Sequence, residues 1–376
     1  MEFIDLAAQS ARLRPELDSR IAKVLDHGRY IMGPEIDELE KSLCSFTGSL
    51  HCISCASGSD ALLMALMAFG VGPGDAVFVP PFTFFATAEM AALLGATPVF
   101  VDIDSRTFMM RPDELEKAVQ EVKGQGKLVP KAVIPVDLFG QGADYNKIGQ
   151  IAREYGLFVL EDAAQAFGAT QNGKRTCALG CDAAATSFFP AKPLGCYGDG
   201  GAIFTDDDEL ADKLKSIRVH GKGRDKYDNA RIGINGRLDT LQAAILLAKL
   251  TVFEDEIEKR SRVADWYANY LKDIKDIITP EVAPGNTSVW AQYCILVPEN
   301  SRIGLTESLK QRGIPTNIYY PSPLHFLEAF KYMGHKPGDF PVAEEVSRRI
   351  LALPFHPYLR EQEVEKVCAR LREALA

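Results

Sequence analysis

The chain has 376 residues, of which 47% are hydrophobic and 25% charged, and a net charge of −9 at pH 7. That is the mix of a globular protein long enough for two domains and a substantial core. An acidic balance (pI about 5.3) excludes a general nucleic-acid binder, since phosphate binding needs a basic face, yet a local cluster of Arg and Lys can still hold a small anion.

The opening MEFIDLAAQSARLRPELDSR carries charge from its second residue and lacks the apolar core of a signal peptide. The most apolar region, residues 76–101, is broken by Pro80, Pro81, Glu89 and Pro98. It is therefore no membrane span, which needs roughly 18 uninterrupted apolar residues. A cytoplasmic protein with no membrane and no nucleic-acid partner is the expectation. From residue 50 to 205, strand-like runs alternate with helical patterns. HCISCA, DAVFVP, TPVFVDID, KAVIPVDLF and LFVLED read as strands; DALLMALMAFG, FFATAEMAALLG, RPDELEKAVQEV and YNKIGQIAREYG read as helices between them; AAATSFF and GAIFTD close the series as strands. Such alternation implies crossovers and a mostly parallel α/β sheet covered on both faces, with ligands gathering at the carboxyl ends of the strands. The eight cysteines read as free thiols. Strand alternation turns Cys52 and Cys55 to opposite faces, and Cys177 and Cys181 have no His beside them, so no metal is expected. From Leu238 a long amphipathic helical stretch runs to about residue 274. Beyond it lie the strand-like WAQYCILV, a helix in SRIGLTESLKQRG, the strand-like TNIYY and a final helix from Glu361. The predicted organisation is a large domain over residues 1–250 and a smaller α+β domain over 251–376.

The glycine strings GVGPGD and GCYGDGGA both lead into strands, whereas a dinucleotide fingerprint must open a helix. Three other features carry chemistry. In ASGSDALLMAL, Ser57-Gly58-Ser59 leads into an apolar helix whose free amides and dipole suit a phosphate, although an ordinary N-cap reads the same way. In LFVLEDAAQ, Glu161 and Asp162 end a strand and point to opposite faces, so only one can face a site; a plain helix cap is the alternative. In FFPAKPLGCYGDGG, Lys192 stands among aromatics, prolines and small residues. Such surroundings destabilise the ammonium and leave a nucleophilic amine, unless the chain of Lys192 snorkels out of a loop.

These motifs in this order, with IDL, GPEIDELEKSL, PFTFFATAEM, EDAAQ, NGRLDTLQAAIL and IYYPSPLH, resemble the sugar aminotransferases of the DegT/DnrJ/EryC1/StrS family over nearly the whole chain. The resemblance implies a type I aminotransferase fold, pyridoxal 5′-phosphate, and a homodimer whose active sites lie at the subunit interface. By the same resemblance, Lys192 is the Schiff-base lysine and Asp162 the carboxylate at the pyridine nitrogen. Gln165 lies near the phenolic oxygen, Phe84 stacks on the ring, and Gly58, Ser59 and Ser187 hold the phosphate, with Asn235 of the partner subunit. Each role has a physical reason: a carboxylate keeps the ring nitrogen protonated, and an aromatic face fixes the ring plane.

Within the family, FFPAKPLGCYGDGGAIF and RLDTLQAAILLAKL most resemble the enzymes that aminate the 3-keto group of UDP-2-acetamido-2-deoxy-hexuronic acid, with glutamate as donor, for bacterial surface polysaccharides. A substrate with a diphosphate and a carboxylate needs cations. RVHGKGRDKYDNARIGINGR supplies Arg218, His220, Lys222, Arg224, Lys226, Arg231 and Arg237. Arg237, two residues from Asn235, is the preferred carboxylate partner; His220, Tyr320 and His325 are further substrate candidates. Tyr319 stands where the resemblance leads one to expect His. The family's dehydratases carry His in place of the lysine, so Lys192 favours amination. A non-catalytic sensor would need a further domain, and a neutral 3- or 4-keto deoxysugar is the alternative substrate.

Overall fold

The computed structural model describes residues 1–225 and 227–375. Helices α1 (Leu6–His27) and α2 (Pro34–Thr47) lead into β1 (His51–Cys55), α3 (Gly58–Ala68), β2 (Asp75–Val79), α4 (Ala86–Leu93) and β3 (Thr97–Phe100). The chain continues through α5 (Pro112–Gln125), β4 (Val129–Val133), α6 (Tyr145–Tyr155), β5 (Phe158–Asp162) and a short hairpin of β6 (Thr170–Gln171) and β7 (Lys174–Arg175). Then come β8 (Ala183–Ser187), β9 (Gly201–Thr205) and α7 (Asp208–Ile217). Local signals set these limits. Asp144 caps α6 by accepting from the amide of Lys147 at 3.1 Å, and Gly156 ends it in the left-handed region.

Seven strands form one sheet in the order β1-β9-β8-β5-β4-β2-β3. The pairs β2–β3, β2–β4, β4–β5 and β5–β8 are parallel, as the alternating pattern implies. Strand β9 runs against both β8 and β1, because no crossover helix separates β8 from β9. In the register, Gly201 opposes both Cys55 and Ser187. The carboxyl ends of β1, β5 and β8 therefore meet at one edge, where open α/β sheets bind ligands.

The later part contains α8 (Thr240–Leu250), α9 (Phe253–Leu271), β10 (Tyr293–Leu296), α10 (Arg302–Gln311), α11 (Pro341–Arg349), β11 (Ile350–Leu353) and α12 (Glu361–Leu375). Strands β10 and β11 make an antiparallel ribbon, and Tyr267, Tyr293, Leu351 and Val367 build the core between it and α9 and α12. Two expectations are corrected here. The helical stretch from Leu238 is two helices, broken where the Thr251 hydroxyl donates to the Ala248 carbonyl at 2.7 Å; Glu254, Asp255 and Glu256 then mark a new N-terminus. TNIYY is not a strand but irregular chain with a single bridge from Asn317 to Ala352. Pro315 and Pro321 flank it and can donate nothing to a ladder. Among the described residues no helix is long and apolar enough to cross a membrane.

Candidate active site

Strand β5 delivers Glu161 and Asp162 to opposite faces of the sheet. Asp162 points into the cleft at the carboxyl edge, and Glu161 points into the core. Asp162 accepts from the Thr87 hydroxyl at 3.0 Å and from the Ala164 amide at 3.3 Å. Burial pushes its pKa up, while Thr87, the Ala164 amide and the charge of Lys192 pull it back. Three residues on, Gln165 accepts from the Phe139 amide at 2.9 Å and donates to the Tyr320 hydroxyl at 3.1 Å.

Lys192 lies on the link between β8 and β9. Its amide donates to the Phe189 carbonyl at 2.8 Å, closing a tight turn between Pro190 and Pro193. Burial is the larger influence on its amine and lowers the pKa, with nearby Asp162 opposing. The result is an amine whose charge is costly, with the Asp162 carboxylate close enough to favour that charge.

The N-terminus of α3 closes the same edge. Ser57 caps the Asp60 amide at 3.0 Å, which leaves the first-turn amides of Gly58 and Ser59 free for an anion. A Cβ on Gly58 would stand 2.6 Å from Cβ of Ser187, and one on Gly201 would stand 2.4 Å from the Ser57 carbonyl oxygen. Glycine at both positions lets the helix end approach β8 and β9 closely enough to set Ser187 beside its amides. Phe84, just beyond β2, is 57% exposed, with its ring 6.5 Å from that of Tyr320. An exposed aromatic at the mouth of a polar cleft is a free face for a planar ligand.

The basic run divides. Arg218 is an internal brace and not a substrate cation: it is buried, and it donates to Glu40 at 2.6 Å and to the Ser54 carbonyl at 3.0 Å. His220, Lys222, Arg224 and Arg231 lie exposed on a loop tied by bridges from Val219 to Asn235 and from Lys222 to Asn229. Lys226 lies outside the described residues. Asn235 is exposed and Arg237 half-buried, and the Arg237 Nε has no partner among the described residues. His325 is corrected as a sugar contact. Its side chain is fully buried against Phe100, Phe326 and Phe340, with Glu344 3.4 Å away. The two ends of YYPSPLH part because Tyr320 faces Gln165 while Leu324 and His325 sink into the core.

Sequence reasoning missed Thr87, Asp137 and a group behind the lysine turn. A cavity of about 10 Å³ there is lined by Gln9, Lys192, Arg260, His356 and Tyr358. Burial lowers Arg260 to about 10 and His356 to about 4. Asp137 follows β4 in VDLF much as Asp162 ends β5, which was the available signal; Thr87 gave none. A much larger cavity, about 1180 Å³, opens at the opposite edge of the sheet. Its walls carry Asp206, Asp207, Asp208 and Glu209, which repel an anionic ligand, so size does not choose the site.

Comparison with known proteins fits this arrangement. Residues 12–372 match the DegT/DnrJ/EryC1/StrS aminotransferase family. The chain belongs to that family. A relative from Pseudomonas aeruginosa, the UDP-2-acetamido-2-deoxy-3-oxo-D-glucuronate aminotransferase, is 50% identical over 371 residues, 99% of each chain. The structure of a DegT DnrJ EryC1 StrS aminotransferase from Brucella abortus superposes with a TM-score of 0.96 at 53% identity, covering 99% of both chains. That of ntda from Bacillus subtilis, with bound cofactor PMP, superposes at 0.87 with 30% identity over 99% of this chain and 83% of that one. The fold is thus that of the family's aminotransferases, and this chain is an aminotransferase. The donor set here fits a phosphorylated pyridine: free amides for the phosphate, an open aromatic face, a buried carboxylate and an amine.

Proposed function

We propose that the chain uses pyridoxal 5′-phosphate, held by Lys192, to move an amino group from glutamate to the 3-keto group of a UDP-2-acetamido-2-deoxy-3-oxo-hexuronate. The reading places the enzyme in the cytoplasm as a homodimer that supplies surface polysaccharide synthesis, including lipopolysaccharide. The observation that carries it is the meeting of the charge-disfavoured Lys192 amine, Asp162 and the α3 N-terminus at one sheet edge, in a chain half identical to an aminotransferase of that substrate.

Bound there, the cofactor supplies an electron-accepting ring. Asp162 would hold a proton on the ring nitrogen, and Thr87 fixes the carboxylate for that task. Gln165, oriented by the Phe139 amide, would meet the phenolic oxygen. Phe84 would cover one ring face, while Gly58, Ser59, Ser187 and Asn235 of the partner subunit anchor the phosphate. The Lys192 amine would take a proton from the donor α-carbon and return one at the sugar C3. Arg237 would pair with the uronate carboxylate, and His220 and Tyr320 would touch the sugar nucleotide.

Mass spectrometry of products from a panel of keto sugar nucleotides with glutamate tests the reading. Amination of the UDP-linked 3-keto uronate, well ahead of neutral 3- or 4-keto deoxysugars, is expected. Equal or better reaction of the neutral sugars would sink the uronate assignment.

A further inference from the structure

Behind Asp162, on the core face of the sheet, two carboxyls meet with no cation beside them among the described residues. Asp137 and Glu161 are both 0% exposed. One oxygen of each is satisfied: Asp137 Oδ1 accepts from the Tyr145 hydroxyl at 2.7 Å and the Ala143 amide at 2.9 Å, and Glu161 Oε1 accepts from the Cys177 amide at 2.8 Å. The other oxygens, Asp137 Oδ2 and Glu161 Oε2, have no partner among the described residues when both groups are taken as acceptors. Val136 bridges to Asp162 and the Asp137 amide donates to the Asp162 carbonyl, so alternation turns Asp137 and Glu161 to the same face, side by side, where each influences the other's charge. Two adjacent anions buried without a cation would repel strongly, and each would leave an unpaired oxygen. One proton between them turns both faults into an O–H···O⁻ bond.

We propose that Asp137 and Glu161 share one proton and act as a positioning pair beneath Asp162, so that only Asp162 presents a full negative charge to the cleft. This rests on the reading of Asp162 as the ring-nitrogen carboxylate. The pair is tied to the site through the backbone. Glu161 precedes Asp162, and the Asp137 amide donates to the Asp162 carbonyl at 3.0 Å. Asp137 also opens the turn whose Phe139 amide holds Gln165. A second free anion there would make the charge of Asp162 harder to keep, and repulsion would push apart the segments that aim Asp162 and Gln165. Burial, the largest influence, drives Asp137 up to about 7 and Glu161 well above the ordinary carboxyl range. The other titratable groups facing the pair are Tyr145 from α6, Cys177 and Cys181 from the loop before β8, and Asp162 itself. Burial raises all of them too, so among these groups none supplies a cation.

Infrared spectroscopy tests this on cofactor-free and cofactor-loaded protein. The wild type should show a carboxylic-acid stretch at neutral pH in both states. Glu161→Gln and Asp137→Asn each replace the shared proton with an N–H donor and should remove that band while the protein stays folded. A carboxyl with a raised folded pKa adds stability that is complete at low pH and lost as pH rises through the folded value. Denaturant stability of the wild type should therefore fall between about pH 4 and 7, and that of Glu161→Gln should fall less over the same range, keeping only the share that Asp162 contributes. Glu161→Leu, which offers no hydrogen bond, should fall well below Glu161→Gln in stability and cofactor affinity at every pH. A missing acid band, a band that survives both amide substitutions, or parallel pH curves for wild type and Glu161→Gln overturns the proposal. The band is read without turnover, so a failed role for Asp162 would show separately, as normal activity in Asp162→Asn.

Discussion

The floor of the cleft and the loop over residues 218–237 both carry polar side chains, but they are built differently. On the floor, Asp162 and Gln165 have partners from Thr87, Ala164, Phe139 and Tyr320 within the chain. On the loop, Asn235 stands exposed and the Arg237 Nε has no partner among the described residues. Groups satisfied within the chain are set before any ligand arrives, which is what catalysis by fixed charges requires. Groups left open remain free to take their geometry from whatever binds them.

The largest effect should come from the floor. Lys192→Ala removes the amine from a turn and opens no core cavity, so turnover should vanish while the denaturation midpoint stays put. Borohydride should attach the cofactor to Lys192 in the wild type; the label on any other lysine would break the central assignment. Next comes Arg218→Met, which tests whether Arg218 belongs with the buried braces despite its place in the basic run. Stranding Glu40 and the Ser54 carbonyl should cost on the order of 3 kcal/mol in urea denaturation, with KM for the sugar little changed in the protein that remains folded. A KM effect without a stability effect would return Arg218 to the substrate side.

Asp162→Asn should bind cofactor yet turn over slower by about two orders of magnitude, the scale of one lost transition-state charge contact. The same substitution sharpens the electrostatic reading. Burial raises Asp162, so its stability contribution is complete at low pH and is lost as pH rises through the folded value. Cofactor-free wild type should lose ground to Asp162→Asn as pH climbs above the ordinary Asp range, whereas a difference that is independent of pH would deny the burial effect. Arg237→Ala should have the smallest effect, roughly tenfold, because its side chain is only half-buried and partly screened by water. It should fall on the sugar half-reaction and spare the glutamate half, each followed by the cofactor spectrum; equal slowing of both halves would assign Arg237 to glutamate or to bracing.

The sheet and its crossovers were legible in the sequence, because buried strands and amphipathic helices write their periods directly into residue order. The apolar neighbours of Lys192 in FFPAKPLG were legible too, and burial there lowers the pKa of its amine. Residue order also showed that Glu161 and Asp162 face opposite ways, since alternation is a local property. Which of the two faces the cleft was decided by tertiary structure. The crossovers place Thr87 on one side of β5 and Asp137 on the other, and β5 has no means of encoding its neighbours. The same holds for Arg218 and His325, whose surroundings come from residues 178 positions away at Glu40 and from Phe100 and Glu344 on distant segments. Charge and aromaticity belong to the residue, whereas burial and partnership belong to whatever the long-range packing brings beside it.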